Sequence, residues 1–212
     1  MTLALLPVKR LADTKSRLFS QLAPDERETF ALAMLEDVIA ALLGATCVDR
    51  TVVVTPDASV GAAARAAGAE ALLRDDPGLN PALDAAANAL AARDEPLLVV
   101  LGDVAGALSS DLDRLSARLE KPGVALAPSS DGGTSALLRC PHDVIPACFG
   151  ADSARRHRQA ASQRGVAYHE APLPSLALDL DVPEDVEHFL RSPGGGKNTR
   201  AALKRLGWRA PA

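Results

Sequence analysis

Short apolar runs and longer stretches of helical spacing alternate along most of the chain. Residues 3–8 form an apolar run of strand length. Residues 26–43 then carry Phe30, Met34, Leu35, Val38 and Leu42 on one helical face, opened by Pro24-Asp25 and closed by Gly44. The β-branched run 51–55 predicts a second strand, residues 57–67 an Ala-rich helix ended by Gly68, and residues 69–73 a third short strand. The alternation continues with a helix at 80–92, a buried strand at 97–101, a helix at 110–119 and a strand at 124–127. Beyond Ala136 it thins: 136–138 and 166–169 read as strands around a helix at 153–164, and 185–191 as a closing helix. The final stretch, 192–212, starts Pro193-Gly194-Gly195-Gly196 and holds five Lys and Arg residues, so it reads as a Gly-rich linker and short basic extension to a single domain spanning 1–191.

Strands alternating with helices predict an α/β fold, a three-layer Rossmann-like sandwich with a mostly parallel sheet. In such sheets ligands sit beyond the carboxyl ends of the strands. The polar loops there are 9–17, 56–57, 75–80, 102–107 and 129–134.

Composition narrows the function classes. With 212 residues, 48% hydrophobic and 24% charged, the chain suits one globular core, and 3% aromatics means a core of Ala, Leu and Val. A net charge of −4 with one Trp and one Tyr offers neither a basic face nor stacking rings for nucleic acid. The apolar run 97–101 is far too short to span a bilayer and no targeting segment is legible, so a cytoplasmic protein without a membrane partner is expected. Three cysteines without metal-ligand spacing fit a reducing compartment and read as small apolar side chains. No apolar stripe demands an oligomer, although the segment after Ala136 leaves room for a homodimer.

The candidate chemistry lies in five places. Pro7-Val8-Lys9-Arg10 continues to Lys15-Ser16-Arg17, four cations within nine positions after the first strand, a mixture of point charges and bidentate forks suited to phosphates. Asp103 directly follows a buried strand. Asp179 and Asp181, two positions apart, share one face of an extended segment, so with Asp103 they form a candidate magnesium site. Glu184 and Asp185 instead suit the first turn of the helix after Pro183. The turn Asp131-Gly132-Gly133-Thr134-Ser135 and the helix entry Phe149-Gly150-Ala151-Asp152-Ser153 are both candidate anion sites. His157 lies one helical turn after Ser153, but the four histidines form no ligand set and none is assigned a catalytic role. Gly-Gly-Gly-Lys at 194–197 lacks the spacing of a phosphate-binding loop, and Asn198 replaces its hydroxyl.

Pro7-Val8-Lys9 with Lys15-Ser16-Arg17-Leu18, Gly78-Leu79-Asn80, Gly102-Asp103, Gly133-Thr134, Phe149-Gly150 with Ser153, and Leu178-Asp179-Leu180-Asp181-Val182-Pro183-Glu184-Asp185 together resemble one family, over about residues 1–190. It is the guanylyltransferase family that activates a phosphorylated three-carbon acid in biosynthesis of the deazaflavin coenzyme F-420. The resemblance implies a nucleotide-diphospho-sugar-transferase (nucleotidyltransferase) fold. It also implies transfer of GMP from GTP to phosphoenolpyruvate, 2-phospho-L-lactate or 3-phospho-D-glycerate, with release of pyrophosphate. Carried over by position, it gives Pro7, Lys9, Lys15, Arg17, Asn80 and Asp103 to the nucleotide, with Lys9, Lys15, Arg17 and Asp103 as catalytic groups. Thr134, Gly150 and Ser153 fall to the acid, and Asp103, Asp179 and Asp181 to Mg2+. The chain departs from the family pattern at Val104-Ala105-Gly106, where Leu-Pro usually follows the acid, and at Ser135, where asparagine is usual.

Two alternatives remain open at this level. Relatives with sugar-phosphate or molybdopterin-type acceptors usually carry a glycine-rich first loop, whereas residues 9–18 contain no glycine. A non-catalytic nucleotide-binding homologue would bind GTP without releasing pyrophosphate.

Overall fold

The computed structural model describes residues 1–11 and 23–208. Seven strands, β1 (Leu3–Pro7), β2 (Arg50–Thr55), β3 (Glu70–Leu73), β4 (Leu97–Val100), β5 (Gly123–Pro128), β6 (Thr134–Cys140) and β7 (Ala167–Glu170), form one sheet in the order β3-β2-β1-β4-β6-β5-β7. All neighbouring pairs are parallel except those of β6, which runs antiparallel to both β4 and β5. The reason is connection length: only residues 129–133 separate β5 from β6, enough for a hairpin and too few for a crossover.

Alternation along the strands sorts side chains onto two faces. On β1, Ala4 and Leu6 join the core beneath α1 (Pro24–Gly44), α2 (Ala58–Ala66) and α4 (Ser109–Ser116), through Val38, Leu42, Val60, Ala64 and Leu112. Leu3 and Leu5 face the opposite core, closed by Leu83 and Ala87 of α3 (Leu79–Leu90) and Ala154 and Ala161 of α5 (Ser153–Arg164). Three layers follow because strands apolar on both faces must be covered on both.

A third core joins α1 to α6 (Pro183–Arg191) and α7 (Lys197–Arg205), where Phe30 meets Phe189, Ala202 and Leu203. Asp37 of α1 accepts hydrogen bonds from the amides of Asn198 and Thr199 at 2.9 and 2.7 Å, capping α7 from outside the helix. The Gly-rich stretch before α7 therefore lies against the loop that follows Asp103. A Cβ on Gly195 would stand 2.6 Å from the Ala107 carbonyl oxygen and 2.9 Å from that of Gly106. Backbone oxygens cannot rotate away, so Gly195→Ala should cost about 1–3 kcal/mol. A thermal melt should show a Tm several degrees lower, and an unchanged Tm would mean that this approach is not a constraint.

Candidate active site

The strand order reverses between β1 and β4, which opens a crevice at their carboxyl ends. A cleft of about 450 Å³ occupies it, a size suited to a nucleotide-scale ligand. Pro7, Val8 and Lys9 line it at the end of β1, Arg74 and Asp76 after β3, and Gly102 and Asp103 after β4, with Met34 and Leu35 of α1 supplying apolar wall. Asp57, which caps α2 through the amides of Ser59 and Val60, also accepts the Leu11 amide at 3.0 Å and so anchors the start of the first loop. Lys15 and Arg17 lie outside the described residues.

Asp103, Asp179 and Asp181 come together: each offers one carboxylate oxygen, and these oxygens lie within 4.8 Å of one another. The cause is a backbone contact between segments far apart along the chain. The Leu180 amide donates to the Asp103 carbonyl at 3.2 Å, which fixes the extended segment 179–181 beside the β4 loop. Asp185 accepts the amides of Asp181 and Val182 at 2.9 and 2.8 Å, so it is spent on the entry to α6 and holds Asp181 in place. Burial, followed by the neighbouring carboxylate of Asp103 and then those of Asp181 and Asp131, pushes the Asp179 carboxyl up to about 6. Three hard oxygen donors that repel one another are the donor set a divalent cation neutralises, so the residues present fit such an ion.

The two glycine-containing turns meet beside this cluster. The Ser130 amide donates to the Ala177 carbonyl and the Ala154 amide to that of Gly132, which ties the 129–133 turn to both the segment leading to Asp179 and the start of α5. Two amides of the candidate anion sites are already engaged: Gly133 donates to the Asp131 carboxylate and Ser153 to the Gly150 carbonyl. Hydroxyls remain. Thr134 and Ser153 are buried, and the Ser153 Oγ donates to the Thr134 Oγ1 at 2.9 Å. Gly150 adopts φ +116°, which a side chain would strain, and the Arg156 guanidinium reaches over its turn to the Phe149 carbonyl.

Asn80 has a position that its sequence context did not suggest. Its carboxamide grips the Phe149 backbone twice, accepting from the amide at 2.7 Å and donating to the carbonyl at 3.1 Å. The Asn80 carboxamide thus steadies the turn at Phe149-Gly150, while its neighbours Leu79 and Ala82 line the cleft. One turn further along α3, Asp84 accepts the Ala147 amide, and the buried Arg139 guanidinium donates to the Ile145 carbonyl at 2.6 Å. Neither residue carries a sequence signal, because a lone acid on a helix and an arginine in a strand are unremarkable until the 141–149 loop folds over them.

The fold is a Rossmann-like, three-layer α/β sandwich. A crystal structure from Desulfovibrio desulfuricans G20 assigned to the nucleotide-diphospho-sugar transferases superposes with a TM-score of 0.77 at 16% identity, covering 97% of this chain and 95% of that one. The family model described as guanylyl transferase CofC like matches residues 2–211, and the chain belongs to that family of guanylyltransferases. The phosphoenolpyruvate guanylyltransferase of Sphaerobacter thermophilus is 42% identical over 190 residues, 89% of this chain and 92% of the relative. That of Conexibacter woesei is 38% identical over 216 residues, 97% and 96% of the two chains. Both matches are nearly full-length, and the family match runs through α7. Among the described residues no helix is long and apolar enough to cross a membrane.

Proposed function

We propose that the protein transfers GMP from GTP to phosphoenolpyruvate, with release of pyrophosphate, using Mg2+ held by Asp103, Asp179 and Asp181. The observation that carries this reading is the convergence of those three carboxylates at the edge of a nucleotide-sized cleft bearing Lys9. The names of the two relatives favour phosphoenolpyruvate over phospholactate and phosphoglycerate as acceptor. Magnesium, when bound, neutralises phosphate oxygens of the nucleotide and the departing pyrophosphate.

The chain's own residues do the rest. Pro7 and Lys9 border the nucleotide phosphates, with Lys15 and Arg17 adding charge from the same loop. Thr134, Gly150 and Ser153 hold the acid, and Asn80 keeps their turn in place. An oxygen of the acceptor's phosphate attacks the α-phosphorus of GTP and forms the new phosphoanhydride bond as the bond from the α-phosphorus to the bridging oxygen breaks. That oxygen keeps the electron pair and leaves with pyrophosphate. The nucleophile is already an anion, so no general base is required; rate comes from aligning two anions and offsetting their repulsion.

The test is pyrophosphate release with GTP and magnesium, run in parallel with phosphoenolpyruvate, 2-phospho-L-lactate and 3-phospho-D-glycerate. Release is expected with phosphoenolpyruvate and should cease when EDTA removes the metal. Silence with all three acids, or preference for another one, would overturn the reading.

A further inference from the structure

His157 is fully buried, sits one turn into α5 and takes no part in the chemistry above. Its two ring nitrogens nevertheless face different partners. The Cys148 amide donates to Nε2 at 3.0 Å. A backbone amide can only donate, so Nε2 carries the lone pair and the single proton of the neutral ring resides on Nδ1. Burial, reinforced by the charges of Arg139 and Arg156, pulls the imidazole down to about 4 and keeps it neutral near pH 7. Nδ1 stands 3.2 Å from the Thr134 Oγ1 and, with the Ser153 carbonyl as a second acceptor beside the ring, turns a proton and not a lone pair toward it.

Thr134 and Ser153 bring two hydroxyl hydrogens, of which one closes the 2.9 Å bond between them. Because the ring donates to Thr134 and needs nothing in return, the second hydrogen is available to a third group. The opposite tautomer would consume it. The pair lies between the 129–133 turn and the first turn of α5, beside the segment that carries Asp179. The arrangement is stiffened from both sides, with the Phe149 ring packed edge-on to the imidazole at 5.2 Å and Asn80 gripping the Phe149 backbone.

We propose that His157 is a positioning residue for the acceptor: through Nδ1 it holds the Thr134–Ser153 pair as a net hydrogen-bond donor toward an anionic oxygen of the phosphorylated acid. This rests on the reading that Thr134 and Ser153 hold the acid. It adds the group that decides in which direction their hydroxyls point.

Two substitutions separate this role from simple support of the loop. Gln places its carboxamide where Nε2 stands and can still accept the Cys148 amide, but it loses the donor to Thr134. Asn places an N–H where Nδ1 stands and keeps that donor while releasing Cys148. With phosphoenolpyruvate as acceptor, His157→Gln should raise the acceptor KM about tenfold, the worth of one hydrogen bond to a charged group, with the GTP KM unchanged. His157→Asn should bring the acceptor KM back to within about threefold of wild type. A Gln variant at the wild-type value, an Asn variant no better than Gln, or equal rises in both KM values would overturn the proposal. Independent of any variant, nitrogen NMR of histidine-labelled wild-type protein should show the Nδ1–H tautomer at pH 7, and the Nε2–H tautomer or the cation would overturn it too. Wild-type protein inactive with all three acids would count against the acceptor reading, while the nitrogen spectrum would still decide the tautomer.

Discussion

Asp103→Asn should reduce pyrophosphate release at least about 10²–10³-fold at saturating GTP and acceptor. Asn has nearly the shape of Asp, so the β4 loop and the Leu180 amide bond to the Asp103 backbone can persist. What is lost is one negative charge from a cluster whose oxygens lie within 4.8 Å of one another. The triad then offers weaker attraction to a divalent ion and a poorer hold on the metal-bound triphosphate. Thermal melts give the control: in EDTA the variant and wild type should melt within a few degrees of each other, and magnesium should raise the Tm of wild type only, since a ligand stabilises the form that binds it. Metal-dependent turnover retained in the variant would remove Asp103 from the site.

Acid should destabilise the protein through His157 by about 3–4 kcal/mol at most. The folded-state value of about 4 lies below the ordinary 6.5, so on acidification the unfolded chain takes up the proton first. The contribution is present in full above 6.5 and is progressively lost as pH falls toward 4. The size follows from about 1.4 kcal/mol for each pH unit of the difference. Carboxylates titrate in the same range, so the informative quantity is a difference. Denaturant unfolding of wild type and His157→Asn should be compared at pH 7, 6, 5 and 4, where wild type loses stability faster than the variant. Parallel pH profiles would mean that the histidine titrates normally in the folded protein. Protonation would occupy Nε2, the atom that receives the Cys148 amide, so it should also break that hydrogen bond.

Much of the fold is legible in the sequence because its signals are local. The apolar runs that became β1, β2 and β4 and the spacing of Val38 and Leu42 on α1 report burial within a few residues of where it is decided. The C-terminal segment shows where that reading stops. Three glycines in a row look like a linker, yet Gly195 lies flat against the carbonyls of Gly106 and Ala107, and the cap of α7 comes from Asp37, far away along the chain. Asn80 is a second case, since a motif can mark a position without disclosing which backbone its carboxamide will grip.

By itself, then, the sequence determined the strand-and-helix alternation, the two-faced burial of the sheet and the residue types available at the carboxyl ends of its strands, because hydrophobic periodicity and turn chemistry act over a few residues. Tertiary structure alone decided what met what. It fixed how closely Asp103 approaches Asp179 and Asp181, packed Gly195 against the Gly106 and Ala107 carbonyls, engaged amides of both glycine turns with neighbouring acceptors and aligned a buried imidazole with a pair of hydroxyls. Those outcomes depend on distances between segments remote along the chain and on which buried donors find acceptors, and both are settled only when the layers pack.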